Sequence, residues 1–392
     1  MRVLTLIFTI FFLSPTLFSQ YSIGETVITF NDPQRTGGVG NSGNPGRQIE
    51  TAIFYPADNG GLGVDVASGN FPLVIIAHGF SMGYDAYENL WEHIVSEGYI
   101  VALPKTESDL FPAPSHNDFG LDIVNIKESF NTLNDNGSSI FHEKLNGKIA
   151  YIGHSMGGGA SVLASAENEP DLYIGLASAE TDPSAIQSAS TVNCPSIIFS
   201  GTGDEVTPAP DHQIPIFNAL NSSCKYLISI IGGAHCYYAN TNLSCDTGEA
   251  ISGGNITLDR EQQQELVYPV ITEALNLFLK SNGNTQDFED ELNKSEFEVT
   301  NECQALSIFD KNQFRMEIFP NPFQQEFTIN LENETNEDMN LTILDATGAI
   351  VHKEVINSES NNVNSQNWKS GAYFVLIKRE NQLIHQQKVI KK

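Results

Sequence analysis

The sequence predicts an α/β protein, a doubly wound and mostly parallel sheet, followed by a small all-β sandwich. Three observations predict it. Short apolar, β-rich runs alternate with helical patterns through residues 21–282, the signature of repeated strand–helix units. Some of these runs, 73–77 above all, are apolar at every position, as strands covered on both faces must be. From Met316 the helical pattern stops, and short strands divided by turn residues replace it.

The elements follow in order. Met1-Arg2-Val3, an apolar run 4–13 and a polar stretch to Gln20 read as a secretory signal peptide over residues 1–20. A membrane anchor needs about 20 apolar residues, and this run is shorter. The run 73–77 reads as a buried strand ending in His78-Gly79-Phe80. Tyr84, Tyr87 and Trp91 follow at helical spacing, which suits either a cleft wall or the core. Residues 148–152 read as a strand, Gly153-His154-Ser155-Met156-Gly157 as a tight turn, and 160–165 as a helix start. Small residues flank Ser155 because strand and helix nearly touch there. The helix N-terminus adds positive potential beside it. Residues 194–200 form a further strand ending at Gly203-Asp204, and 226–231 another, running into Gly232-Gly233-Ala234-His235. The last helix covers 261–280.

Ser155, Asp204 and His235 thus each follow an apolar strand, in the order nucleophile, acid, base. A Ser hydroxyl is a weak nucleophile until a base takes its proton and an acid orients that base. Asp204 is preferred to Glu205, whose side chain should point elsewhere, and to Asp211, beyond Pro208 and Pro210 on a solvated loop. Nine histidines compete for the base. His154 should point away from the nucleophile, His93 sits in a helical pattern, and His116, His142 and His212 fall on loops. His78 belongs to the turn after residue 77, and His352 and His385 lie in the C-terminal part.

These segments resemble the α/β-hydrolase superfamily over about residues 26–280, and within it the secreted dienelactone-hydrolase-like group with its cutinase-like polyester hydrolases. The elbow at residues 148–159, the stretch 72–104 with His78-Gly79-Phe80, and Gly232-Gly233-Ala234-His235 carry the likeness. It implies Ser155, Asp204 and His235 as a triad and the Met156 and Phe80 amides as an oxyanion hole. Phe80 would also stack on aromatic substrates. The implied activity is carboxylic-ester hydrolysis of broad specificity through an acyl-enzyme, with aromatic polyesters such as polyethylene terephthalate within range. One departure stands out. Polyester hydrolases usually carry a Trp where this chain has Thr181, in the stretch 177–184. A lipase- or peptidase-like hydrolase using the same triad is the alternative, and a non-catalytic binding protein on this scaffold the more distant one. Only about fifty residues separate Ser155 from Asp204, and a strand must fit there, which disfavours an elaborate lid.

Residues 283–315 are polar and acidic and read as a linker. Strands are expected at 327–331, 341–344 and 373–377 within a sandwich of about seven, with a turn at 345–348. Ile318-Phe319-Pro320-Asn321-Pro322-Phe323, Gly371-Ala372-Tyr373-Phe374 and the lysine-ended C-terminus resemble the type IX secretion sorting domain of Bacteroidota, over 316–392. That resemblance implies export through the periplasm, then release or surface attachment, with the type IX machinery as partner. A carbohydrate-binding module is the alternative for this part.

Five cysteines suit an exported chain. Cys194 with Cys224 and Cys236 with Cys245 are the preferred pairs, leaving Cys303 free. A net charge of −28 disfavours nucleic acid as a partner. No His-Glu-x-x-His, Cys-x-x-Cys or phosphate-binding Gly-rich motif is present, so no metal or organic cofactor is expected, although so acidic a chain is compatible with a structural calcium. The catalytic domain is expected to be monomeric.

Overall fold

The computed structural model describes residues 21–280, 283–303, 315–332, 339–345, 349–356, 360–379 and 382–392. The expected signal peptide lies outside the described residues. The chain divides into two compact units, one ending at Glu302 and the other starting at Cys303.

The first unit is built on strands β1 (Ser22–Asp32), β2 (Gly38–Val39), β3 (Arg47–Ala57), β4 (Gly61–Leu62), β5 (Phe71–Ala77), β6 (Ile100–Pro104), β7 (Leu145–His154), β8 (Leu172–Leu176), β9 (Ser196–Gly201), β10 (Cys224–Ile230) and β11 (Phe297–Cys303). They join in the order β11-β10-β9-β8-β7-β5-β6-β3-β1-β4, with β2 beside β3. Neighbours from β6 through β5, β7, β8 and β9 to β10 run parallel, while β1, β3 and β6 pair antiparallel. Every residue of β5, β6, β8 and β9 is buried, which is why these runs lack alternation.

The helices are α1 (Glu88–Ser96), α2 (His116–Asp135), α3 (Met156–Glu167), α4 (Ala185–Ala189), α5 (Gln213–Ala219), α6 (Leu243–Ser252), α7 (Arg260–Leu279) and α8 (Thr285–Leu292). Ser115 caps α2 through the Asp118 amide, and Asp259 with Gln262 forms a capping box on α7. Trp91 stacks on Phe54 with ring centroids 3.7 Å apart, and Tyr87 is fully buried, so both belong to the interior. Tyr84 is half-buried, under the Lys105 ammonium.

The acidic stretch expected to be a linker carries α8 and β11 in its first part; residues 304–314 lie outside the described residues. Phe288 and Phe297 explain the difference, for both are buried, and Phe288 meets the Tyr226 ring edge-on at 5.2 Å. Two apolar anchors outweigh the surrounding carboxylates, which need only face water.

The C-terminal unit contains β12 (Arg315–Phe319), β13 (Glu326–Glu332), β14 (Met339–Asp345), β15 (Ile350–Ile356), β16 (Ser360–Asn364), β17 (Gly371–Arg379) and β18 (Gln382–Lys391). They form antiparallel sheets β12-β13-β16 and β15-β14-β17-β18. Phe327, Ile329, Leu341, Ile343, Val375 and Ile377 from the two sheets share one core. Period-two spacing along each strand puts them on one face. Trp368 packs against Phe323, Phe327 and Tyr373, so it belongs to this core. Residues 346–348 of the expected turn lie outside the described residues; the Asp345 amide donates across it to Ala349 O at 2.9 Å.

The cysteine pairing differs in part from expectation. Cys236 and Cys245 are bonded. Cys194 is not: it is a free, buried thiol, and burial pushes its pKa up to about 12. Register explains this. Lys225 pairs with Ser196, so Cys224 lies opposite Pro195 rather than Cys194, which belongs to one core cluster with Val162, Ile198 and Leu227. Cys224 and Cys303, the latter expected to be free, are both disulfide-bonded.

Candidate active site

The elbow is built from glycines with no space for a side chain. A Cβ on Gly157 would lie 2.3 Å from Ala77 O, and one on Gly153 would lie 2.2 Å from Gly157 O. Strand β5, strand β7 and helix α3 therefore touch backbone to backbone. Between them Ser155 has φ 54° and ψ −121°, a left-handed strain that only a tightly held turn sustains. The Ser155 amide donates to Leu176 O and its carbonyl accepts from the Ala179 amide, both at 2.9 Å, tying the turn to β8.

Asp204 and His235 are brought together. His235 Nδ1 lies 2.8 Å from Asp204 Oδ2, with Asp204 4 % and His235 2 % exposed. A carboxylate can only accept, so Nδ1 carries the proton and Nε2 keeps a lone pair, as a base requires. Asp204 Oδ1 accepts from the Val206 and Thr207 amides at 2.8 Å each. The Thr207 hydroxyl donates to Asp204 Oδ2 at 2.9 Å. Burial works against the Asp204 charge, yet the His235 contact and the Thr207 donors outweigh it and hold the carboxyl below its ordinary value. Glu205 and Asp211 are exposed. Among the described residues neither Ser155 Oγ nor His235 Nε2 is engaged in a hydrogen bond, and the same is true of the Phe80 and Met156 amides. Phe80 is 45 % exposed, whereas Met156 is buried at the first position of α3.

His154 bonds to the loop of the base and to Tyr87. It is fully buried, its ring centroid is 4.9 Å from that of His235, and its Nε2 lies 3.0 Å from His235 O. On its other side Nδ1 lies 2.7 Å from the Tyr87 hydroxyl, which in turn accepts from the Gly79 amide at 2.8 Å. A carbonyl only accepts, so Nε2–H donates to His235 O and Nδ1 accepts from Tyr87. Burial, then the nearby His235, pushes the His154 pKa down to about 3, so this ring stays neutral. One relay thus joins the Gly79-Phe80 turn, the elbow and the loop of His235.

His78 contacts Thr106 O at 2.8 Å and packs on Phe119. His116 Nδ1 accepts from the Asp182 amide and His212 Nδ1 from the Glu180 amide, bracing the loop that holds Thr181. His93 contacts Thr272, and His142 the Asn134 carbonyl. Thr181 is 8 % exposed, donates to Pro183 O at 2.7 Å and packs against Gly159. It is part of the wall and not a projecting platform.

Sequence reasoning missed Thr207, Glu249 and Gln263. Thr207 had a signal, an Asp followed three positions later by a hydroxyl residue. Glu249 and Gln263 had none. Burial raises the Glu249 carboxyl above its ordinary value against the pull of the His235 and Cys236 amides. Among the described residues two groupings of possible metal donors, His154 with His235 and Cys245, and Cys236 with Asp246 and Glu249, each contain a sulfur already in the Cys236–Cys245 bond. A disulfide sulfur is no thiolate, so neither set offers a complete ligand sphere.

Residues 40–252, more than half the chain, match the PET hydrolase-like family. The chain belongs to that family. Residues 317–392 match the secretion system C-terminal sorting domain, which marks a secreted or cell-surface protein. Among curated proteins the chain is similar to cutinase 1 of Thermobifida cellulosilytica, 26 % identical over 185 residues, covering 47 % of this chain and 64 % of that one. It is equally similar to a cutinase of Thermobifida fusca, 26 % identical over 47 % of this chain and 56 % of that one. A bis(hydroxyethyl) terephthalate hydrolase of Streptomyces coelicolor is 25 % identical over 48 % of this chain and 56 % of its own. The chain thus spans less than two thirds of the length of these relatives. Its PET hydrolase-like part and the architecture of its sheet agree with the expected α/β-hydrolase fold.

Proposed function

We propose that this PET hydrolase-like chain is a secreted serine carboxylic-ester hydrolase working through an acyl-enzyme. The observation that carries the reading is the 2.8 Å Asp204–His235 contact, on the same sheet edge as a Ser155 held at φ 54°. His235 Nε2 takes the Ser155 proton as Oγ attacks the ester carbonyl. The uncommitted Phe80 and Met156 amides receive the oxyanion, at the N-terminus of α3. His235, oriented by Asp204, then returns the proton to the leaving alkoxide. Water enters and the same steps release the acid.

Broad ester specificity follows from the short connection between Ser155 and Asp204, most of which α3, β8, α4 and β9 take up, so that it carries no lid. Aromatic polyesters belong in its range, given the names of its relatives and the exposed Phe80 beside the site. The type IX machinery is the partner that would read the C-terminal unit. The test is hydrolysis of short- to long-chain p-nitrophenyl esters and of an amorphous aromatic polyester film by the chain and its Ser155→Ala variant. Turnover of both, lost in the variant, supports the full reading. Small-ester turnover with an untouched film limits it to a general esterase. Absence of Ser155-dependent turnover on every ester would refute it.

A further inference from the structure

The main chain at residues 234–236, which leads into a single 3-10 turn at Cys236–Tyr238, is held by side chains from elsewhere. The Ala234 amide donates to Gln263 Oε1 at 2.8 Å, and Gln263 Nε2 donates back to Ala234 O at 3.0 Å. His235 O accepts from His154, and Cys236 O accepts from Arg260 at 2.6 Å. The two remaining donors, the His235 and Cys236 amides, both go to one carboxylate: Glu249 Oε1 at 2.5 Å and Oε2 at 3.3 Å.

Glu249 is the one buried residue of α6. The same helix leaves Leu243 85 % and Ile251 81 % exposed. Its apolar pattern is therefore inverted, with a carboxylate inside and large aliphatic side chains outside. Burying a carboxylate costs several kcal/mol unless it is well paired, so apolar packing does not account for this helix. The Cys236–Cys245 disulfide ties its first turn to the residue after His235.

We propose that Glu249 is a positioning residue for the base: its carboxylate holds the His235 main chain through two amides and places a negative charge beside the imidazolium that forms as Ser155 loses its proton. This rests on the triad reading above. The other charged and titratable groups around Glu249 do not replace it. Asp204 already serves His235 from the turn after β9, and Arg260 of α7 pairs with Asp246 of α6 at 2.6 Å. His154 is neutral, and Tyr238 is buried with its pKa raised well above the ordinary range.

The experiment compares the full chain with Ser155→Ala, Glu249→Gln and Glu249→Ala on p-nitrophenyl butyrate across pH 5–9. Loss of turnover in Ser155→Ala confirms that the measured reaction belongs to this site; Ser155-independent turnover in the parent would overturn the site reading and the proposal with it. With the site established, Glu249→Ala should lower kcat about 10²-fold, the scale of a misplaced catalytic group, with KM changed by no more than about twofold. Glu249→Gln should fall between the two and move the acidic limb of the pH–rate profile to lower pH, because an imidazolium that loses a nearby anion gives up its proton more readily. Added formate should restore part of kcat in Glu249→Ala. If Glu249→Ala fails to fold by circular dichroism, the isosteric Gln variant carries the test. An unchanged kcat in the Gln variant with an unmoved acidic limb, or a fall that formate leaves untouched and that occurs without any limb shift, would overturn the proposal.

Discussion

Tyr87→Phe removes a single oxygen, and the structure sets what that should cost. The Gly79 amide donates to this hydroxyl at 2.8 Å, and the hydroxyl lies 2.7 Å from His154 Nδ1, all three groups being buried. Phenylalanine fills the same space but leaves an amide and an imidazole nitrogen unpaired, at about 1–3 kcal/mol each, or roughly 2–6 kcal/mol together. For a unit of this size that corresponds to a Tm lowered by about 4–24 °C. Gly79 precedes the Phe80 amide, so loosening this turn should also weaken an oxyanion donor whose full loss is worth about 10²–10³ in kcat; a fall of ~10-fold or more is expected. Thermal melts and kcat on a soluble ester measure both. Tyr99→Phe is the control, since its hydroxyl donates to Asn276 at 2.8 Å away from the site; it should cost about 1 kcal/mol with kcat intact. A Tyr87→Phe protein matching the parent in both Tm and kcat would refute the relay.

Asp204→Asn should lower kcat about 10⁴-fold by presenting the wrong His235 tautomer, with ester binding retained; a loss of tenfold or less in steady-state kinetics would remove Asp204 from the triad. Because the Asp204 carboxyl is held below its ordinary value, its stabilising effect is complete above about pH 4 and lost as pH falls through the lowered folded-state value. The drop in urea midpoint between neutral and acid pH should therefore be smaller in Asp204→Asn. Gly157→Ala puts a methyl group 2.3 Å from Ala77 O and should give little folded protein; near-native yield and Tm would contradict the elbow packing. Paired Cys236→Ser and Cys245→Ser substitutions open a loop of sequence separation 9 and should cost about 2–3 kcal/mol by chemical denaturation. Thiol titration should find Cys194 unreactive in the native protein and accessible only in denaturant; a rapidly reacting native thiol would show the pairing to be different.

The parts of the fold legible in the sequence are those governed by local pattern. The uniformly apolar 73–77 run needs no partner to be recognised as an interior strand, and it is buried throughout. The glycines around Ser155 report a close approach that the sequence cannot hide, because any side chain there meets a backbone oxygen. The acidic stretch after residue 282 misled for the converse reason. Carboxylates on one face of α8 say nothing about Phe288 on the other, and a single buried ring fixes the helix. Cys194 and Cys224 looked like partners because their strands are neighbours, as they are, but a register offset of one residue separates them. No sequence reading resolves a shift of one.

The candidate site divides along the same line. Ser155, Asp204 and His235 each follow a strand within five residues, so their types and order can be read from one dimension. What holds His235 cannot, because its loop draws on partners at His154, Glu249, Arg260 and Gln263, up to 81 residues away in sequence. The loop has no ladder of its own, and every buried amide and carbonyl must still be satisfied. Around His235 the chain meets much of that demand with one carboxylate, one amide, one guanidinium and one neutral imidazole, beside backbone bonds such as that from the Ala239 amide to Cys236 O. A Glu on an otherwise inverted helix looks like noise until the amides it receives are seen. The placement of His235 therefore depends on side chains in α6 and α7 as much as on β10, and substitutions there should alter the rate without touching substrate.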